Sequence, residues 1–148
     1  MTPTENAVRL YVYEHFVAAG RAPLASEVAS GLGTPVVPVH DALRSLEEQH
    51  VLVLYENTSE VRMAMPFSAE PTSFSVVSGA STWWANCIWD ALGVPAMLEK
   101  SAVIAIASPV DGEDTQLAIG PDGPDPGTPG CVHFAVPAAH WWDDVVFT

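Results

Sequence analysis

Apolar positions recur at helical spacing three times in the first fifty residues. Val8, Tyr11, Val12, His15, Phe16 and Ala19 share one side of a helical repeat, which predicts a helix over 5–19 closed by Gly20. After the connector Arg21-Ala22-Pro23, a shorter helix is expected over 24–31, ended by Gly31 and Gly33. A third, over 35–49, carries Val39, Leu43 and Leu46 on one face. The pattern then turns β-like in Val51–Tyr55 and Val61–Met65, joined by the turn-forming Glu56-Asn57-Thr58-Ser59-Glu60. Three helices and a hairpin in this order look like a winged helix, a variant of helix-turn-helix.

Pro66 to Pro71 reads as a link, Phe74 to Val77 as a strand, and Ser78-Gly79-Ala80 as a turn. The next stretch, Ser81 to Leu92, has neither Gly nor Pro. Taken as helical, it puts Trp84, Cys87, Ile88, Ala91 and Leu92 on one face, with Ser81 or Thr82 as cap and Gly93 and Pro95 as stop. One further helical turn is expected over 96–100. Ala102 to Ala107 predicts a strand buried on both faces, 108–115 an acidic turn, and Gln116 to Ile119 another strand. The Pro/Gly-rich segment 120–130 reads as a surface loop without fixed structure. Cys131 to Val136 alternates like a strand, and Val145 to Phe147 is the last β-like run. The fold class is therefore α+β, with a winged-helix-like lobe over 1–66 and a mixed lobe of short strands around the Trp/Cys helix over 67–148.

Charge narrows the partners. The net charge is −13, and Lys100 is the sole lysine, which argues against phosphate-rich partners and anionic membranes. Residues 1–66 hold four arginines against eight acids, so the winged-helix-like lobe is a poor surface for DNA despite its pattern. The start Met-Thr-Pro-Thr-Glu-Asn is polar and unlike a secretory leader, and no apolar run approaches the roughly 20 residues that span a bilayer. Two cysteines without a CxxC spacing give no disulfide framework, and a reduced, cytoplasmic protein is the expectation.

The candidate chemistry lies at Cys87. Asp90 follows it by three positions, so thiol and carboxyl are neighbours on a helix. Two readings stand at this point: a reactive thiol beside an acid and walled by Trp83, Trp84 and Trp89, or a small buried cysteine in a core helix. Cys131, on a plain alternating strand, reads as a structural thiol or a second sulfur. His15, His40 and His50 lack ligand spacing and read as structural, and His133, His140, Asp143 and Asp144 match no metal-site spacing either.

The run Thr82-Trp83-Trp84-Ala85-Asn86-Cys87-Ile88-Trp89-Asp90-Ala91-Leu92-Gly93-Val94-Pro95-Ala96 resembles the active-site helix of the alkylmercury (organomercurial) lyases. The resemblance extends to the winged-helix-like lobe before it and the strand-rich stretch after it. It implies that Cys87 is the attacking thiolate, that Asp90 carries the proton to carbon, and that Trp83, Trp84 and Trp89 accept the organic group. Mercury would be substrate and product, external thiols would carry it, and no resident cofactor is implied. The family's second cysteine is expected after the segment that 141–148 resembles, so a lyase-like protein with impaired turnover is anticipated, with Cys131 as the remaining sulfur for the metal. The alternative is a non-catalytic module of the same fold that binds a soft metal, an organomercurial or a protein. A winged-helix transcription regulator comes third.

Overall fold

A computed structural model of the protein describes residues 1–107, 114–128, 131–132, 134 and 136–145. The chain divides into two compact units, Met1–Pro71 and Thr72–Thr148.

The first unit opens with α1 (Pro3–Ala19), α2 (Ala25–Leu32) and α3 (Val36–Glu48). Each boundary has a local cause. Thr2 and Glu5 form a reciprocal cap at the start of α1, where Thr2 Oγ1 accepts from the Glu5 N–H at 3.2 Å. Gly20 ends α1 at φ 68°, a left-handed conformation that costs glycine little, and its N–H donates to the Phe16 carbonyl. Glu27 accepts from the Leu24 N–H at 2.7 Å and pairs with Arg21 at 2.6 Å. The Arg21 guanidinium holds the Glu27 carboxyl down at about 2. Strands β1 (Val53–Leu54), β2 (Val61–Ala64) and β3 (Phe67–Ser68) follow and pair antiparallel in sequence order. Val8, Val12 and Phe16 meet Val39, Leu43, Leu46, Leu52 and Met63 in a core almost closed to water. The Phe16 and Phe67 rings stack there with centroids 5.4 Å apart.

Gly31 exemplifies how tightly α1 and α2 approach: a Cβ built on it would overlap the ring of Tyr11. An exposed Gly→Ala in a helix ordinarily stabilises by about 1 kcal/mol. Here the sign reverses, and Gly31→Ala is expected to destabilise by ~1–3 kcal/mol, the usual cost of overpacking. Urea unfolding measures it; a midpoint equal to or above that of the native protein would contradict the contact.

The second unit is built on an antiparallel sheet of β4 (Phe74–Ser78), β5 (Ser81–Ala85), β6 (Ala102–Ala107), β7 (Asp114–Gly120) and β8 (Gly123–Pro124), in the order β5-β4-β6-β7-β8. Interior strand β4 sets the register, with Val76 opposite Trp83 on one side and Ile104 on the other. All three side chains are fully or almost fully buried. The one long helix among its described residues, α4 (Ile88–Leu98), packs over β4, β5 and β6.

Several expectations are corrected. Residues 81–85 form a strand and not the first turn of a helix. Gly79 turns the chain at φ 60°, and Thr82, Trp83 and Trp84 are β-favouring residues that pair with 75–77. Trp83 and Trp84 therefore do not lie on the Cys87 helix; only Trp89 does. Gly93 and Pro95 do not end α4, which runs through both to Leu98. Burial of Ala91, Val94 and Pro95 against the sheet offsets the lost backbone bond. Strand β6 buries Ala102 and Ile104 on one face but leaves Val103 39% exposed, so it is not covered on both. Part of the 120–130 loop is ordered, since Gly123, at φ 110°, turns β7 back into β8. Cys131, Val132 and Phe134 are in no strand. Of the expected turn over 108–115, Asp114 and Thr115 belong instead to β7, where they pair with β6. Residues 108–113 and the end of the last β-like run, Val146 and Phe147, lie outside the described residues, and Val145 itself is in no strand.

Candidate active site

The chain leaves β5 at Ala85, bends through Asn86 and Cys87, and enters α4 at Ile88. Cys87 is thus the N-cap, in extended conformation at φ −142°, and its carbonyl accepts the Ala91 N–H at 2.9 Å. Asp90 is the third residue of the helix, so the spacing of three survives although the helix begins later than expected. The Cys87 thiol donates to Asp90 Oδ2 at 3.5 Å. Asp90 is 9% exposed, and it shares the buried face of α4 with Ala91 and Val94.

Asn86, the neighbour of Cys87, anchors a second segment, for its Nδ2 donates to the Val145 carbonyl at 3.0 Å. A 3-10 helix, Ala138–Asp143, precedes Val145, and its Trp141 ring meets Trp89 at 6.5 Å and Phe134 at 5.4 Å between centroids. Asn86 and Trp89 therefore fasten Val145 and the rings of Phe134 and Trp141, from either side of Cys87 in sequence. Neither anchor was legible in the chain, because both depend on tertiary placement.

Electrostatics fixes the protons. Burial pushes the Cys87 thiol above its usual range; the backbone N–H groups of Asp90 and Trp89 pull it back, and the Asp90 carboxylate adds to the rise. Burial also pushes the Asp90 carboxyl up, against the opposing pull of its contacts with Cys87. Both shifts favour the protonated forms, so the thiol keeps its proton at neutral pH within reach of a carboxyl group with raised proton affinity.

A stability effect follows from the second shift. A carboxyl whose folded pKa exceeds its unfolded value contributes stability fully below the unfolded pKa, and that contribution is lost as pH rises through the folded pKa. Ionising Asp90 thus costs stability, and that cost disappears in acid. Asp90→Asn, neutral throughout, is expected to have a higher Tm than the native protein near pH 7, with the difference shrinking toward pH 3. A difference that grows in acid would contradict the assignment.

The other candidates are placed as follows. Trp83 is 2% exposed in the core, Trp84 is its half-buried neighbour on the strand, and Trp89 is 59% exposed on α4. Cys131 is exposed and lines a cleft of about 460 Å³ with Ile88 and Leu92 of α4. Nothing in an alternating pattern signals that position. His140 Nδ1 lies 2.9 Å from Asp143 Oδ2 at the surface, and His133 is outside the described residues. Among the described residues no three His, Cys, Asp or Glu side chains cluster closely enough to hold a metal ion. Nor is any helix among them long and apolar enough to cross a membrane.

What these observations define is an α+β protein with a half-buried thiol joined to a buried carboxyl at a helix start. The family model for alkylmercury lyase (MerB) matches residues 67–148, more than half of the chain and all of this site, and the chain belongs to that family. Among solved structures it is similar to the mercury-bound form of MerB2, at 17% identity and a TM-score of 0.63. That likeness, which is one of fold, covers 84% of this chain and 59% of the other, so the chain spans about 59% of that protein's length. No curated protein matches it.

Proposed function

We propose that this protein cleaves carbon–mercury bonds by protonolysis, with residues 67–148 carrying the chemistry and 1–66 a supporting lobe. The observation that carries the reading is the Cys87–Asp90 contact of 3.5 Å at the start of α4, within the segment that matches the family. A soft thiolate is the ligand mercury prefers. As sulfur binds the metal of R–Hg–X and X departs, the thiol proton passes to Asp90. Asp90 returns that proton to carbon; the C–Hg bond breaks, R–H leaves, and Hg(II) stays on sulfur. The raised proton affinity of Asp90 suits it to hold the proton between these two steps. Cys131 is the second sulfur in this proposal, with support from its place in the cleft alongside α4. External thiols then carry the metal away.

Nucleic acid has no part in it. Three of the four arginines of 1–66 are paired with acids, Arg21 with Glu27, Arg44 with Asp41 and Arg62 with Glu70. Mass spectrometry of the intact protein after one equivalent of phenylmercury tests the reading: an adduct of mercury without phenyl is expected. A stable adduct that retains phenyl would favour the binding module instead.

A further inference from the structure

Two clefts flank α4 within the second unit. One, beside Trp89, Phe134 and Trp141, is walled by rings that already pack on one another, and no sulfur of a described residue lines it. The other has Phe74, Ile106 and Leu117 of the sheet on one side, Ile88 and Leu92 of α4 on another, and Cys131 in its wall. Its volume is about 460 Å³, within the range of small-molecule sites. Ile88 directly follows Cys87, so the cleft begins next to the reactive turn.

We infer that this second cleft receives the organic group, and that the preferred substrates carry an aryl ring or an alkyl chain of several carbons. The inference rests on the lyase reading and adds the substrate class to it. A water molecule occupies about 30 Å³ of liquid, and a methyl group is similar in size. Methylmercury would therefore leave most of the cleft wet against apolar side chains. A hexyl chain or a ring displaces that water from Phe74, Leu92, Ile106 and Leu117, and each buried methylene strengthens binding about fourfold. Leu92 and Leu117 are half-buried, so a larger side chain at either would take up cleft volume at little cost to the core.

The test has two arms. In the first, kcat/KM for hydrocarbon release is compared for methyl-, butyl-, hexyl- and phenylmercury in excess thiol. A rise of at least about tenfold from methyl to hexyl is expected, and Leu117→Trp, checked by its unfolding midpoint, should flatten it. The second arm needs no mercury chemistry: N-methyl-, N-butyl- and N-hexylmaleimide compete for Cys131, followed by peptide mapping and normalised to glutathione and to the urea-unfolded chain. The same ordering is expected in the folded protein, again flattened by Leu117→Trp or, should that variant not fold, by Leu92→Phe. Equal rates along both series, or a rise that the filled variants keep, would overturn the inference. Chain-length preference at Cys131 with no hydrocarbon released would discard the lyase reading and retain the apolar cleft. Release without chain-length preference would do the reverse.

Discussion

Cys87→Ser is expected to lose organomercurial cleavage by at least about a thousandfold, the scale on which removing an attacking group disables an enzyme. The cause is ligand softness. A hydroxyl at the same place is a hard, weakly acidic donor that cannot compete with solution thiols for mercury. The substitution should leave the fold in place, since Cys87 is half-buried and its backbone carbonyl, not its sulfur, starts the α4 hydrogen-bond ladder. Cys131 remains available in this variant, so a residual mercury adduct mapped to Cys131 is compatible with the prediction. Release of hydrocarbon at the native rate is not.

Asp90→Asn separates capture from cleavage. The amide keeps the shape of the side chain and an oxygen that accepts from the Cys87 thiol, but it neither takes up the thiol proton nor delivers one to carbon. Hydrocarbon release is expected to fall by about 10²–10⁴, the usual value of a positioned proton donor. Sulfur should still bind the organomercurial, and without the neighbouring carboxylate the thiol ionises more readily, because Asp90 raises the Cys87 pKa. The variant should therefore accumulate an adduct with the carbon–mercury bond intact. Unchanged release, or loss of the adduct along with the release, would place the proton donor elsewhere.

Much of the first unit was legible, because its elements obey short-range rules. Periodicity placed three helices, and glycine in the left-handed region marked the ends of α1 and α2. The Cys87–Asp90 pairing was legible for a different reason: a separation of three brings N-cap and third helical residue together as well as two residues of one turn. The helix start was not legible, since Trp84, Cys87, Ile88, Ala91 and Leu92 recur at helical spacing whether or not the helix begins before Cys87. The turn Ser78-Gly79-Ala80 and the β-favouring Thr82-Trp83-Trp84 were the signal for a hairpin, and Val76 opposite Trp83 is what settles it. Gly93 and Pro95 look like a stop because propensity is local, whereas the burial that carries α4 through them is tertiary. The cleft at Cys131 was beyond any pattern, as its walls come from β4, β6, β7, α4 and the residues that follow β8.

The central claim is that the Cys87–Asp90 pair turns over a carbon–mercury bond, and counting product tests it most directly. With phenylmercury in excess over protein and an external thiol in excess over both, headspace benzene should exceed one molecule per protein molecule. It should also exceed the thiol-only rate, and both Cys87→Ser and Asp90→Asn should bring it close to that background. Benzene at the thiol-only rate, with intact phenylmercury held on Cys87, would contradict the claim and leave a protein that binds organomercurials without cleaving them.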